Sequence, residues 1–86
     1  MYRYHVAYAN SLDKKLAGEY ELQKDADLRC GAGDDKELRM TMKTGEKVRC
    51  YGYYTAADNT KWLYVQYRTG GELYAGFCSE AYLKAK

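Results

Sequence analysis

The chain has 86 residues, a net charge of +2, 11 tyrosines, three cysteines, one histidine and no proline. This length makes one small domain with a modest core. No run of 18 apolar residues could span a bilayer, no basic-then-apolar leader opens the chain, and the mixed charges leave no strong nucleic-acid footprint.

The β-forming residues are unusual. There is no Ile, Val occurs only at positions 6, 48 and 65, and Tyr takes their place with Trp62 and a few Thr. Tyr has an apolar body and a polar tip, which suits a thin sheet half in water. It also suits recognition of sugars and peptides, so Tyr content alone leaves both readings open.

In chain order, Tyr2, Tyr4, Val6 and Tyr8 alternate with Arg3, His5, Ala7 and Ala9, a strand-like pattern, and Asn10 to Lys15 is polar and turn-like. Residues 1–17 are read as a linker or N-terminal arm, and 18–86 as the domain. Gly18 to Gln23 alternates with period two, the mark of a half-buried strand. Asp27-Leu28-Arg29 is a second extended piece, and Gly31-Ala32-Gly33-Asp34-Asp35 is a loop. A strand over 37–42 follows, then a turn at Thr44-Gly45-Glu46. Lys47 to Tyr51 alternates with Val48 and Cys50 inward. Ala56 to Thr60 is a hairpin loop carrying Asp58-Asn59, and Lys61 to Tyr67 is the clearest strand of all. Arg68-Thr69-Gly70-Gly71 is a tight hairpin turn, from which Glu72 to Cys78 returns as the partner strand. Ser79 caps a short helical turn over Glu80 to Leu83. Turn signals every 8 to 12 residues predict an all-β fold, and at this size a barrel of five to seven short strands rather than a sandwich.

Catalytic chemistry is sparse. His5 has no paired nucleophile and orienting group, so it builds no triad. Cys30 lies beside two glycines but has no His nearby in sequence, and reads as a small buried thiol. Cys50 and Cys78 both fall on inward strand positions, which allows a disulfide if their strands are neighbours and two buried thiols otherwise. Asp34 and Asp35 are adjacent and point opposite ways on an extended chain, and they lack the alternating ligands of a calcium loop. Gly31-Ala32-Gly33 lacks the third glycine and following helix of a dinucleotide site. No catalytic residue, metal ligand or cofactor is expected.

Binding is expected on the aromatics. Along Lys61–Tyr67, Trp62, Tyr64 and Gln66 share one face, and Leu63, Val65 and Tyr67 share the other. The aliphatic face is expected in the core. That leaves Trp62 and Tyr64 half exposed, with Tyr53, Tyr54, Tyr74 and Phe77 as candidates beside them. Trp62 either belongs to this binding face or plugs the end of the barrel. Arg29, Arg39, Lys47 and Arg49 beside aromatics lend some support to a third reading, a single-stranded nucleic-acid binder, against which the even charge balance counts.

Several short motifs occur in a set order: Gly18-Glu19-Tyr20-Glu21-Leu22, Leu28-Arg29-Cys30-Gly31-Ala32-Gly33, Lys43-Thr44-Gly45-Glu46-Lys47-Val48, Trp62 with Val65, Gly76-Phe77-Cys78 and Tyr82-Leu83. Over about residues 18–84 this order resembles the bacterial Src-homology-3-like family. Cys30, Ala32 and Cys78 stand where that family often has Ser or Asn, Pro, and Val. The segment Val6 to Leu16 resembles the connector that precedes this module in some clostridial and phage N-acetylmuramoyl-L-alanine amidases. The resemblance implies an SH3-like barrel and a non-catalytic module, monomeric in isolation, that binds peptidoglycan through its peptides or glycan. It would tether a hydrolase lying outside these residues to the extracellular wall. The alternative is a structural or protein-interaction module that docks a neighbouring domain or partner. The resemblance does not assign contact residues, so the candidates Tyr53, Tyr54, Trp62, Tyr64, Tyr74 and Phe77 rest on the face argument.

Overall fold

A computed structural model describes residues 9–33, 35–57 and 59–85. The strand reading of residues 2–8, His5, Asp34 and Asp58 lie outside the described residues. Among those described, eight strands form: β1 (Ser11–Leu12), β2 (Gly18–Leu22), β3 (Ala26–Arg29), β4 (Leu38–Met42), β5 (Lys47–Ala57), β6 (Thr60–Thr69), β7 (Glu72–Ser79) and β8 (Leu83–Ala85). Two single 3-10 turns, Lys14–Leu16 and Glu80–Tyr82, are the only helical pieces among them. The fold is all-β, as the turn spacing predicts. The strand count exceeds the expected five to seven because the short β1 and β8 also join the ladder.

Every pairing is antiparallel, in the order β4-β3-β7-β6-β5-β2-β8, with β1 added on β5. The centre is the meander β5-β6-β7. β2 lies between β5 and the final strand β8, so the two ends of the domain meet on one strand. The sheet is that of a small β-barrel, curled so that one face of the meander is enclosed. Gly70 (φ 59°) and Gly71 (φ 82°) form the β6–β7 turn, both at the positive φ that a two-residue hairpin loop needs.

The enclosed face follows from period two. Leu63, Val65 and Tyr67 oppose Cys78, Gly76 and Tyr74 on β7. On the other side, Val65 and Tyr67 oppose Cys50 and Val48 on β5. Leu22, Leu28 and Met42 complete the core. Thiols and a methionine therefore fill space that Val and Ile occupy in most sheets. The Tyr67 hydroxyl leaves the core edge and donates to the Glu46 carboxylate, which holds that carboxyl below its usual pKa. The turn before β5 is thereby fixed to the barrel.

Two glycines set the shape. The β5 register shifts between Cys50 and Tyr54, and Gly52 sits in that bulge at φ 101°, a conformation that side chains disfavour. A Cβ there would lie 2.9 Å from the Asp13 carbonyl oxygen, and the Asp13 N–H donates to the Gly52 carbonyl at 2.8 Å. The bulge thus seats the segment before β2. Of the arm expected over 1–17, Ser11 and Leu12 pair with Tyr54 and Tyr53. Leu16 packs on the core and accepts a hydrogen bond from the Tyr20 hydroxyl at 2.6 Å through its carbonyl. The second glycine is Gly76. A Cβ there would meet the Arg29 carbonyl oxygen at 2.7 Å and Leu28 Cγ at 2.8 Å. Only a bare backbone lets β3 approach β7 this closely, and that approach closes this side of the barrel.

The Leu28-Arg29-Cys30-Gly31-Ala32-Gly33 motif is a fastening for the loop after β3. Leu28 is fully buried, and the Arg29 guanidinium bridges Asp27 at 2.7 Å and the Lys36 carbonyl at 2.9 Å. The Cys30 N–H donates to the Glu37 carbonyl at 2.8 Å, closing the loop at its base.

Candidate functional site

The described residues contain no group of three or more His, Cys, Asp or Glu able to hold a metal ion. The three cysteines are free thiols, all buried. Burial pushes each above the usual thiol pKa, with Glu37 adding to the rise at Cys30, and burial followed by Asp27 takes Cys78 to about 12. At neutral pH burial therefore keeps Cys78 as the neutral thiol. The native protein is expected to react with a thiol reagent such as dithiobis-nitrobenzoate far more slowly than the urea-unfolded chain, which should titrate three thiols at once. Rapid labelling of one thiol in the folded state would mark a nucleophile and contradict this placement.

The six aromatic candidates do not form one surface. Trp62 is 6% exposed and Phe77 is 1% exposed, so the expected half-open Trp62/Tyr64 face is corrected at these two positions. The cause is closure around the meander. β3 pairs with β7 at Arg29–Phe77, and the 3-10 turn Glu80–Tyr82 packs beside β6. Both rings are buried outside the main core cluster, a second apolar layer on the outer side of β6 and β7. Tyr54 and Tyr74 lie on the enclosed side at the margins of the core. Each carries a cation over its ring, Lys61 Nζ at 5.4 Å on Tyr54 and the Arg39 guanidinium at 5.3 Å on Tyr74. Their rings are engaged within the fold.

Two candidates remain on the outer surface. Tyr64 is half-buried, its ring 5.2 Å from that of Phe77 and tilted by 59°. Phe77 therefore acts as the floor beneath Tyr64. Tyr53 is 46% exposed and lies opposite Leu12.

Next to Tyr64 lies a feature that the aromatic pattern did not single out. A shallow groove of about 240 Å³ runs across the outer face of β2, β5, β6 and β7. Glu19, Lys47, Val48, Arg49, Tyr51, Gln66, Arg68 and Leu73 line it. The register explains the assembly. Glu19, Arg49 and Gln66 are successive cross-strand partners, and Arg68 opposes Leu73. Lys47 and Arg68 flank the Val48–Tyr67 pair. Neighbouring strands are roughly 4.8 Å apart, and alternate residues roughly 7 Å apart along a strand, so the three cations are close neighbours. The ion pairs among the described residues are Arg29–Asp27 and Lys43–Asp25, and neither involves a groove cation. Tyr51 is 54% exposed and Leu73 49%, which gives the groove apolar ground beside its charges.

One signal for this groove was present in the sequence. In Lys47 to Tyr51, the inward Val48 and Cys50 imply an outward Lys47, Arg49 and Tyr51. What the sequence did not supply is the cross-strand register that adds Glu19, Gln66, Arg68 and Leu73.

No family model, curated protein or solved structure matches the chain. The functional reading therefore rests on the barrel, its surface chemistry and the motif order.

Proposed function

We propose that this domain is a non-catalytic binding module that holds an attached cell-wall hydrolase on extracellular peptidoglycan. The observation that carries this reading is the outer face of β5 and β6. There Tyr51 and Tyr64 stand beside a polar groove and are available to an extended ligand. Flat aromatic rings contact sugars and peptide backbones with little loss of side-chain entropy. A tether of this kind raises the effective concentration of the enzyme at an insoluble substrate and needs no chemistry of its own. The motif order along the chain gives the reading its choice of ligand.

The test uses insoluble sacculi and centrifugation. The double variant Tyr51→Ala/Tyr64→Ala is expected to keep its fold and to lose sacculus binding by about tenfold or more, since a contact aromatic typically contributes over 1 kcal/mol. Unchanged sedimentation would remove this face from the reading.

The second reading, a docking module, is favoured by the pair Leu12 and Tyr53. They face each other across β1 and β5 and are both about half exposed, at 52% and 46%. A neighbouring domain seated there would protect Tyr53 without covering the groove around Arg49.

A further inference from the structure

We infer that the groove across β2, β5, β6 and β7 recognises a short zwitterionic peptide. The peptide's carboxylates would be held by Lys47, Arg49 and Arg68, and its single ammonium by Glu19. The inference rests on the wall-binding reading for its class of ligand and adds the place and the charge pattern.

Charge complementarity selects the ligand. Three cations converge on one shallow groove, and none of them is ion-paired with a described residue. Guanidinium forks such as those of Arg49 and Arg68 bind carboxylates in bidentate fashion, while Lys47 supplies a point charge beside them. Glu19 limits the choice further. It lines the same groove on β2, opposite Arg49. A uniform polyanion such as a phosphodiester chain would leave this carboxylate against like charge, a local cost that a ligand carrying an ammonium there avoids. A peptide with two carboxylates and one ammonium satisfies both signs. The remaining surface is Leu73, the Tyr51 ring and the Gln66 amide, with Val48 bordering the groove only through its backbone because its side chain is in the core. That surface accommodates methyl-sized side chains and one backbone amide, and the volume of about 240 Å³ suits a few residues rather than a folded partner.

The experiment is a titration of the ¹⁵N-labelled domain with N-acetylated alanyl-γ-glutamyl-lysyl-alanine, followed by amide shifts. Three further probes are its doubly amidated form, its acetyl-lysine form and a single-stranded oligothymidylate. Shifts are expected to cluster on Lys47, Arg49, Gln66 and Arg68. Affinity is expected to fall about tenfold on amidation and about tenfold in Arg49→Ala, both of which remove a charge-assisted hydrogen bond. Glu19→Gln should weaken binding of the lysyl peptide and leave that of the acetyl-lysine peptide unchanged. Both variants alter outward-facing side chains, and their amide spectra without ligand report whether the fold is intact.

Equal affinity for the amidated peptide would overturn the inference, as would shifts confined to the loop after β3. Oligothymidylate binding in the groove with no peptide binding would overturn it in favour of a polyanion site. Sacculus sedimentation separates this inference from the wall-binding reading. A domain that pellets with sacculi yet shows no peptide shifts in the groove refutes the groove assignment alone. A domain that binds the peptide but not sacculi refutes wall targeting and upholds the groove assignment.

Discussion

Phe77→Ala is expected to destabilise the domain by about 3–5 kcal/mol, the usual range for deleting a fully buried phenylalanine. Small domains have about 5–15 kcal/mol in total, so much of this variant should be unfolded well below the wild-type urea midpoint. Phe77 is 1% exposed, lies against the ring of Tyr64 and pairs with Arg29 where β3 joins β7. Its loss removes the floor beneath Tyr64 and loosens the joint between β3 and the meander. Tyr64→Ala removes a half-buried ring above that floor and is expected to cost clearly less. Urea unfolding of the two variants side by side checks this ordering. A Phe77→Ala protein with wild-type stability and impaired binding would instead return Phe77 to the ligand surface.

Gly76→Ala is expected to cost about 2–3 kcal/mol from overpacking alone. For a domain of this size that corresponds to a fall in Tm of roughly 10–20 °C. The added methyl would lie 2.7 Å from a backbone oxygen of β3 and 2.8 Å from the side chain of fully buried Leu28. Neither neighbour is the loose end of a flexible chain, so relief requires β3 to move away from β7. That movement would weaken the Arg29–Phe77 pairing and the buried layer around Trp62. A thermal melt by circular dichroism measures the shift. A Tm within a few degrees of wild type would mean that β3 is not held against Gly76 as closely as described.

The strands of the meander were legible because alternation and turn chemistry agree there. Val48, Cys50, Leu63, Val65 and Tyr67 all point inward, and Gly70-Gly71 adopts the positive φ values its hairpin needs. Ser79 caps the last 3-10 turn, accepting from the Ala81 N–H at 3.3 Å. The docking of Ser11 to Ala17 was not legible. It depends on a bulge at Gly52 that receives Asp13, a contact between segments 39 residues apart in sequence that leaves no local periodicity. The candidate site was legible only in part. Period two correctly separates the two faces of β6, but burial on the outer face is decided by what packs over it. Trp62 and Phe77 are covered and Tyr64 is not, and no pattern within β6 distinguishes them. The groove of Lys47, Arg49 and Arg68 needs the register of four strands, which alternation within one strand does not fix.

The most direct test of wall targeting is co-sedimentation of the purified domain with sacculi from several Gram-positive species at moderate salt. A wall-binding module is expected to pellet with at least some of them, to stay pelleted as salt rises to about physiological strength, and to show species preference. A domain that remains in the supernatant with every sacculus contradicts wall targeting. The Leu12–Tyr53 surface and a neighbouring domain would then become the objects of study.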